Sequence, residues 1–280
     1  MFRRGGRVRA VRPAGLDVAI AHALRDPATN ALAGARLRDV GRSASVAQEF
    51  SLAGDETRPD GLLWHGVNLS PMSATGLALG EFGRFLSARN RRASSVVGDR
   101  AAVEAMWQHL APGWGPDVRE YRWSQPLLSA QDEVMSGASQ LRAALPGEER
   151  AVFPAAVAMF REEVGIDPLL GDGGRSYRTR IDDLIHLGRT YVIIEDGEVL
   201  FKADVGALFG PVAQIHGVWV RPDQRGRGVG RAAMADLVRQ VRRDHAPQVT
   251  LYVNDFNEPA RRAYAAAGFH QIGELTTILF

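Results

Sequence analysis

The sequence predicts an α/β (α+β) protein built on a mixed central sheet flanked by helices. Short apolar strand patterns alternate with helical periodicity in both halves of the chain. Three consecutive strand patterns follow one another in the second half, the first two joined by the turn pair Asp196-Gly197. A strand then enters an amphipathic helix through a loop rich in glycine and arginine, Val218 to Gly230. A length of 280 residues suggests two domains, and composition changes near residue 130. The expected division is a basic arm over 1–12, an α/β domain over 13–130 and a second domain over 131–280.

Composition narrows the chemistry. Cysteine is absent, which excludes a disulfide framework, a Cys-ligated metal and a thiol nucleophile. No apolar run reaches the ~18–20 residues of a membrane helix, and Met1 to Arg12 leads into no apolar stretch of the secretion-signal type. A cytoplasmic protein without a membrane partner is expected. Five arginines (Arg3, Arg4, Arg7, Arg9, Arg12) fall in the first 12 positions, and without them the net charge passes from +2 to −3. The body of the chain is thus mildly acidic, which disfavours a nucleic-acid partner except through the arm. Lys202 is the sole lysine among 34 basic residues, a skew that fits a GC-rich coding bias.

In the first half, Leu62 to Leu69 reads as one mostly buried strand. Leu79, Phe82, Leu86 and Arg89 lie near helical spacing, so a helix is expected to about Arg89. Ser94 to Val97 reads as a strand, and Asp99 suits the cap of a helix carrying Val103, Met106, Trp107 and Leu110. Three prolines between Ala111 and Leu128 argue against sustained helix there. The second half opens with a strand near Gln140–Ala144 and a helix from about Glu148 to Val164 that Pro154 starts or kinks. A loop over 165–174, a helix over 177–187 and strands over 190–195, 199–207 and 212–220 follow. Met234, Leu237, Val238 and Val241 define the next helix, 230–244. Val249–Val253 is a strand, Asn257 or Glu258 caps a short helix ended by Gly268, and strands 269–272 and 276–280 close the chain.

Chemistry concentrates in Val218 to Gly230. Backbone N–H groups at a helix N-terminus suit a phosphate or pyrophosphate. Gly226, Gly228 and Gly230 allow close approach, and Arg225, Arg227 and Arg231 can add charge-assisted bonds. A P-loop is excluded because Gly230 is followed by Arg231 and Ala232. A dinucleotide fingerprint is excluded because the glycines run G-x-G-x-G.

The run Arg225-Gly226-Arg227-Gly228-Val229-Gly230 resembles the R-x-x-G-x-G motif of the GNAT superfamily of acyl-CoA-dependent N-acyltransferases. Val220-Arg221-Pro222 resembles its V-x-P lead-in, and Asn257, Ala260, Tyr264, Gly268 and Phe269 match its N-x-x-A-x-x-x-Y-x-x-x-G-F pattern. More narrowly, residues 153–168, 171–180 and 251–261 resemble actinobacterial proteins in which another domain precedes a GNAT domain. The first half is either a degenerate GNAT-like copy, with Ser70–Gly76 in place of the motif loop, or an unrelated α/β domain.

The resemblance implies acetyl-CoA as cosubstrate, no metal, and an amine acceptor on a small molecule or a protein. It implies an opening between strands 212–220 and 249–253 for the acyl-CoA, with loop amides from Arg225 to Gly230 and the Arg231 side chain at the pyrophosphate. Val218 and Val220 would align the pantetheine through their backbone, and Asn257 and Ala260 would lie on the cofactor-facing helix. Tyr264 matches the tyrosine that protonates the departing thiolate; the alternative is a packing tyrosine. Gln214 stands where many members carry a basic glutamate, and an amide takes no proton near neutral pH. His216, two residues on and on the same strand face, is the substitute base, unless water or an amine arriving neutral removes the need. Glu162, Glu163, Asp167 and Asp172 could attract a cationic acceptor or form a solvated face. The alternative to an enzyme is an acyl-CoA-binding module whose ligand state controls a partner.

Overall fold

The computed structural model describes residues 8–41, 43–131 and 138–280. The chain forms two compact units. The first takes the described residues up to Leu127 together with Tyr252–Phe256 and Gln271–Phe280, and the second takes the remainder.

In chain order the first unit contains β1 (Arg9–Ala10), α1 (Leu16–Ala23), α2 (Ala31–Val40), α3 (Val46–Glu49), β2 (Phe50–Gly54), β3 (Pro59–His65) and β4 (Asn68–Met72). It continues with α4 (Gly76–Ser87), β5 (Ser95–Asp99), α5 (Arg100–Trp114) and the start of β6 (Glu120–Ala130). Arg3, Arg4 and Arg7 of the expected basic arm lie outside the described residues. Arg9 is no free arm residue: β1 pairs antiparallel with β2, and the Arg9 guanidinium donates to the Gly54 carbonyl at 2.6 Å. The apolar run 62–69, expected as one strand, is divided between the antiparallel neighbours β3 and β4. The reversal comes at Gly66-Val67, and Val67 is 64% exposed. Asp99 caps α5 as expected, accepting from the Ala102 N–H at 2.9 Å. α5 runs on to Trp114 with Pro112 inside its last turn, further than its prolines suggested. Leu63, Leu69, Phe82, Val96, Met106 and Leu110 centre the core beneath α4 and α5. β4 and β5 run parallel but pair only at Asn68↔Ser95 and Leu69↔Val96.

The second unit continues with β7 (Arg142–Ala143), α6 (Glu149–Val164), α7 (Arg175–His186), β8 (Thr190–Glu195), β9 (Glu198–Phe209) and β10 (Val212–Val220). Then come α8 (Val229–Asp244), β11 (Gln248–Tyr252), α9 (Glu258–Ala266) and β12 (Phe269–Leu279). The strands stand in the order β11-β10-β9-β8-β7, with β10 and β11 parallel and the other pairs antiparallel. A mixed sheet flanked by helices is therefore present. Asp196 and Gly197 both have positive φ, 51° and 79°, as the tight β8–β9 turn requires. Adjacent residues of β8 separate the two faces: Val192 joins the core under α6 and α7, whereas Ile193 borders Val229 and Ala232 of α8. The two closing strands expected at 269–272 and 276–280 are one continuous strand, β12. Its end pairs with β5 in the first unit, from Leu275↔Asp99 to Leu279↔Ser95.

Candidate functional site

Two irregularities shape the middle of β10. Its parallel pairing with β11 stops at Gln214↔Thr250, although β10 itself continues to Val220. Beyond that point one edge of β10 has no neighbour from β11, so its backbone N–H and C=O groups face an opening. Pairing with β9 resumes after a shift between His216 and Trp219, where Gly217 and Val218 stand opposite Ala203 alone. This is a β-bulge. Gly217 takes φ 57° there, and a Cβ on it would come within 2.8 Å of Met159 Cε on α6. Val218 and Val220 both fall in the open segment.

The loop that follows ends in Gly228, at φ 85°, which starts α8 without a side-chain cap. Gly226 is also left-handed, at φ 74°, and neither position has an atom within 4 Å of an added Cβ. These two glycines serve the turn. Gly230 serves packing instead, since a Cβ there would meet Val220 at 3.2 Å. Uncapped N–H groups in the first turn of a long helix favour an anion.

A cleft of about 510 Å³ opens between this loop and α9, lined by Gly226, Arg227, Gly228, Arg231, Arg262, Ala263 and Ala266. Three guanidiniums in one cleft, with no carboxylate among its lining residues, make a site for a multiply charged anion. Arg225 lines no part of it: its guanidinium donates to Glu162 at 2.7 Å and to the Val220 carbonyl at 3.0 Å, so only its backbone belongs to the loop. Arg262 was not singled out from sequence. Asn257 accepts from the Ala260 N–H at 3.3 Å and thereby caps α9, with Pro259 in the first turn. That cap holds the helix face bearing Ala263 and Tyr264.

Tyr264 is buried, 7% exposed, with its ring 6.0 Å from Phe269. Burial, and secondarily the charge of Glu163, push its phenol above the usual tyrosine range, so the group remains protonated at neutral pH. His216 Nε2 lies 2.9 Å from Gln214 Oε1, and a Cβ on Gly206 would overlap its ring. Burial, reinforced by Arg180 and opposed by Asp204, pushes the imidazole down to about 4. Gln214 is itself 1% exposed. Beside this pair, Lys202 and Asp204 form a buried ion pair, and Thr190 donates to Asp204 at 2.8 Å.

His216 makes folding pH-dependent. Its folded value near 4 lies below the ordinary ~6.5 of an unfolded histidine, so the unfolded chain binds the proton first as pH falls. The stability from the neutral ring is complete above pH ~6.5 and lost between there and about 4, up to about 3 kcal/mol. Burial lowers His22 and His65 too, in the same direction. Urea denaturation at stepped pH should show this loss, and His216→Gln should flatten the slope.

The acidic residues of the α6–α7 region are locally committed. Glu162 accepts from Trp219 Nε1 at 3.3 Å as well as from Arg225. Asp167 pairs with Arg161, and Asp172 accepts from the Gly174 and Ser176 N–H groups. Arg178 stacks on Phe153 at 3.8 Å. Among the described residues no group of three or more His, Asp or Glu side chains could hold a metal, and no helix is long and apolar enough to cross a membrane.

Residues 167–269 match the acetyltransferase (GNAT) family, and residues 47–149 match a domain of unknown function, DUF4081. A mycothiol acetyltransferase of Nocardiopsis dassonvillei is 30% identical over 165 residues, covering 56% of this chain and 45% of that protein. One from Thermobispora bispora is 38% identical over 60 residues, 21% of this chain and 20% of its own length. The chain thus spans less than half the length of these curated relatives. Among solved structures, a GCN5-related N-acetyltransferase from Sphaerobacter thermophilus superposes with TM-score 0.60 at 18% identity, covering 99% of this chain and 96% of that one. A tandem GNAT protein from the clavulanic acid biosynthesis pathway superposes with TM-score 0.55 at 13% identity, over 97% and 98% of the two chains. The likeness of fold extends over both units, and the family matches divide along the chain, DUF4081 over 47–149 and the GNAT acetyltransferase family over 167–269.

Proposed function

We propose that the second unit transfers an acetyl group from acetyl-CoA to a primary amine by direct attack within a ternary complex. The observation that carries this is the junction of the parted β10–β11 edge with the arginine-lined cleft. The open backbone at Val218 and Val220 suits an added strand-like chain such as pantetheine. Loop amides from Arg225 to Gly230, with Arg227 and Arg231, suit the pyrophosphate, and Arg262 adds a further cation. Arg225 contributes through its backbone and through its hold on Glu162. Asn257 and Ala260 act by shaping α9. In this reading an N–H at the Gly217-Val218 bulge stabilises the oxyanion, and alignment of amine with thioester supplies much of the rate; the register shift in β10 supports it.

In this reading Tyr264 protonates the departing thiolate, while His216 is a packing residue of β10. A neutral imidazole with its pKa near 4 is too weak a base to take a proton from an ammonium group. The amine therefore arrives neutral or loses its proton to water. The pairing of half-buried His216 with buried Gln214 also favours a second reading, an acyl-CoA-binding module without turnover. Release of CoA with a panel of amines separates the two.

The first half, 13–130, is on this view a GNAT-like copy without a pyrophosphate loop. Its parallel strands also part, after Leu69↔Val96, but Thr75 caps α4 by accepting from Ala78 N–H at 3.3 Å. The His22 ring nitrogen Nε2 lies 2.9 Å from the Ser73 carbonyl, and Asn30 donates to the Ser73 hydroxyl. Calorimetric titration with acetyl-CoA is expected to give one site per chain. Gly228→Trp, forced into φ 85° beside the cleft, should abolish binding. Absence of binding by folded wild-type protein would overturn the acyltransferase reading.

A further inference from the structure

Helices α6 and α7 border the bulge of β10. Met159 of α6 lies against Gly217, and the Tyr177 hydroxyl of α7 donates to the Ala156 carbonyl of α6 at 2.9 Å. Tyr177, Ile181 and Leu184, at i, i+4 and i+7, form the inward face of α7. Arg178 and Arg180 leave that face on opposite flanks. Arg178 is committed to the Phe153 ring, 3.8 Å away. Arg180 is exposed, and its guanidinium makes no hydrogen bond or ion pair among the described residues. Its charge bears instead on the Tyr177 phenol and on the half-buried His216 ring. The carboxylates of this region are differently placed. Glu162, Asp167 and Asp204 pair with Arg225, Arg161 and Lys202, and Asp172 accepts from backbone N–H groups. Glu163 bears on the phenols of Tyr177 and Tyr264. Arg180 thus stands on the His216 side of the bulge and Glu163 on the Tyr264 side.

We infer that the acceptor is a small amine with a carboxylate beside its amino group, the amino-acid class, and that Arg180 binds that carboxylate. This rests on the acetyl-transfer reading and deepens its acceptor end. A guanidinium fork matches one carboxylate through two parallel N–H bonds. A phosphate dianion would meet the charges of Glu163 and Asp204, and a purely cationic acceptor would meet Arg180 with nothing to offer it. An amino acid carries both signs, as Arg180 and Glu163 do. Pairing also serves the chemistry. Once Arg180 cancels the carboxylate charge, the neighbouring ammonium holds its proton less tightly. Neutral amine then forms by loss to water, which a site with His216 as weak a base as this one requires. The amine nitrogen bonds the acetyl carbon, the carbon–sulfur bond breaks, and the products are an N-acetyl amino acid and CoA. In total the ammonium loses two protons, one to solvent and one, by way of solvent and Tyr264, to sulfur.

The test compares α-amino acids of differing side chain with their amides and with the amines left by decarboxylation. CoA release is followed for wild type and Arg180→Gln. Wild type should prefer an amino acid over both of its analogues. Arg180→Gln should raise KM for that amino acid roughly 10–100-fold, the range for losing a charge-assisted pair, and leave KM for the amide unchanged. Equal losses for all three would make Arg180 structural only, and wild type that prefers amides or plain amines would overturn the acceptor class. In parallel, the full chain loaded with CoA is titrated calorimetrically with the same amino acids. Binding that Arg180→Gln weakens, without turnover, supports the carboxylate site and overturns the acceptor role. Protein that binds acetyl-CoA but neither binds nor acetylates any amino acid overturns this inference alone. Folded protein that binds no acetyl-CoA overturns the acetyl-transfer reading together with it.

Discussion

Tyr264→Phe is expected to bind acetyl-CoA with wild-type affinity and to turn over roughly 10²–10⁴ times more slowly, the range for loss of a positioned acid. The substitution removes one oxygen and keeps the ring against Phe269, so α9 and its Asn257 cap should persist. The chemical reason lies in the leaving group. A thiolate departs with the affinity for a proton of an ordinary thiol, pKa ~8.5. Tyr264 is held above the usual phenol range by burial and by Glu163, so it carries its proton throughout the working pH range. Transfer to a free thiolate is then uphill, so the O–H first stabilises by hydrogen bonding the charge that builds on sulfur, and the proton it passes to the thiolate is replaced from solvent. Calorimetry and steady-state CoA release test the two halves separately. Unchanged binding with unchanged kcat would leave Tyr264 a packing residue. Weakened binding with normal kcat would move it to the cofactor-holding surface.

The parts of this site that could be read from sequence are those fixed by local backbone chemistry. Glycines at alternate positions before an amphipathic helix have few uses, and Gly226 and Gly228 do take left-handed φ. Asp99 and Asn257 stand one residue before their helices and cap them. Asp196-Gly197 can form a tight turn with little else to do. What stayed hidden depends on partners distant in sequence. The run 62–69 is apolar throughout, so nothing local marks the reversal at Gly66-Val67; pairing of β3 with β4 does. β12 looked broken around Gly273-Glu274, yet Glu274 accepts from Arg100 and Ser124, residues more than a hundred positions away. Nothing local in the sequence distinguishes Arg262 from other helical arginines; its place in the cleft with Arg227 and Arg231 comes from the fold.

The same distinction applies to His216. Sequence placed it correctly on the face of Gln214, because strand side chains alternate. Its basicity depended on burial and on the close approach of Gly206, an extra residue in β9 between the partners of Gln214 and Ile215. Neither is visible along the chain.

The largest stability effect is expected at Lys202, the residue whose rarity first looked like coding bias. Its side chain is 0% exposed and paired with Asp204, itself 5% exposed. Lys202→Met should fill similar space but leave a buried carboxylate with Thr190 as its remaining named donor. Breaking a buried pair in this way costs about 3–5 kcal/mol. Lys202→Met/Asp204→Asn removes both charges and preserves an acceptor for Thr190, so it should recover most of that loss in urea denaturation. By contrast, Arg262→Ala breaks a pair with Glu258 that is 71% and 72% exposed, and should change stability by less than about 1 kcal/mol. A single variant as stable as wild type would mean that Asp204 is protonated or solvated in the folded protein. The double variant also bears on turnover. Asp204 stands opposite His216 in register, and its Oδ2 lies 3.4 Å from where a Cβ on Gly217 would be. The ion pair therefore underlies the bulge proposed to hold the oxyanion. If the double variant folds normally yet loses kcat, the buried charges serve the geometry of the bulge as well as the fold. If it retains kcat, packing alone sets the bulge and the pair is dispensable once both charges are gone.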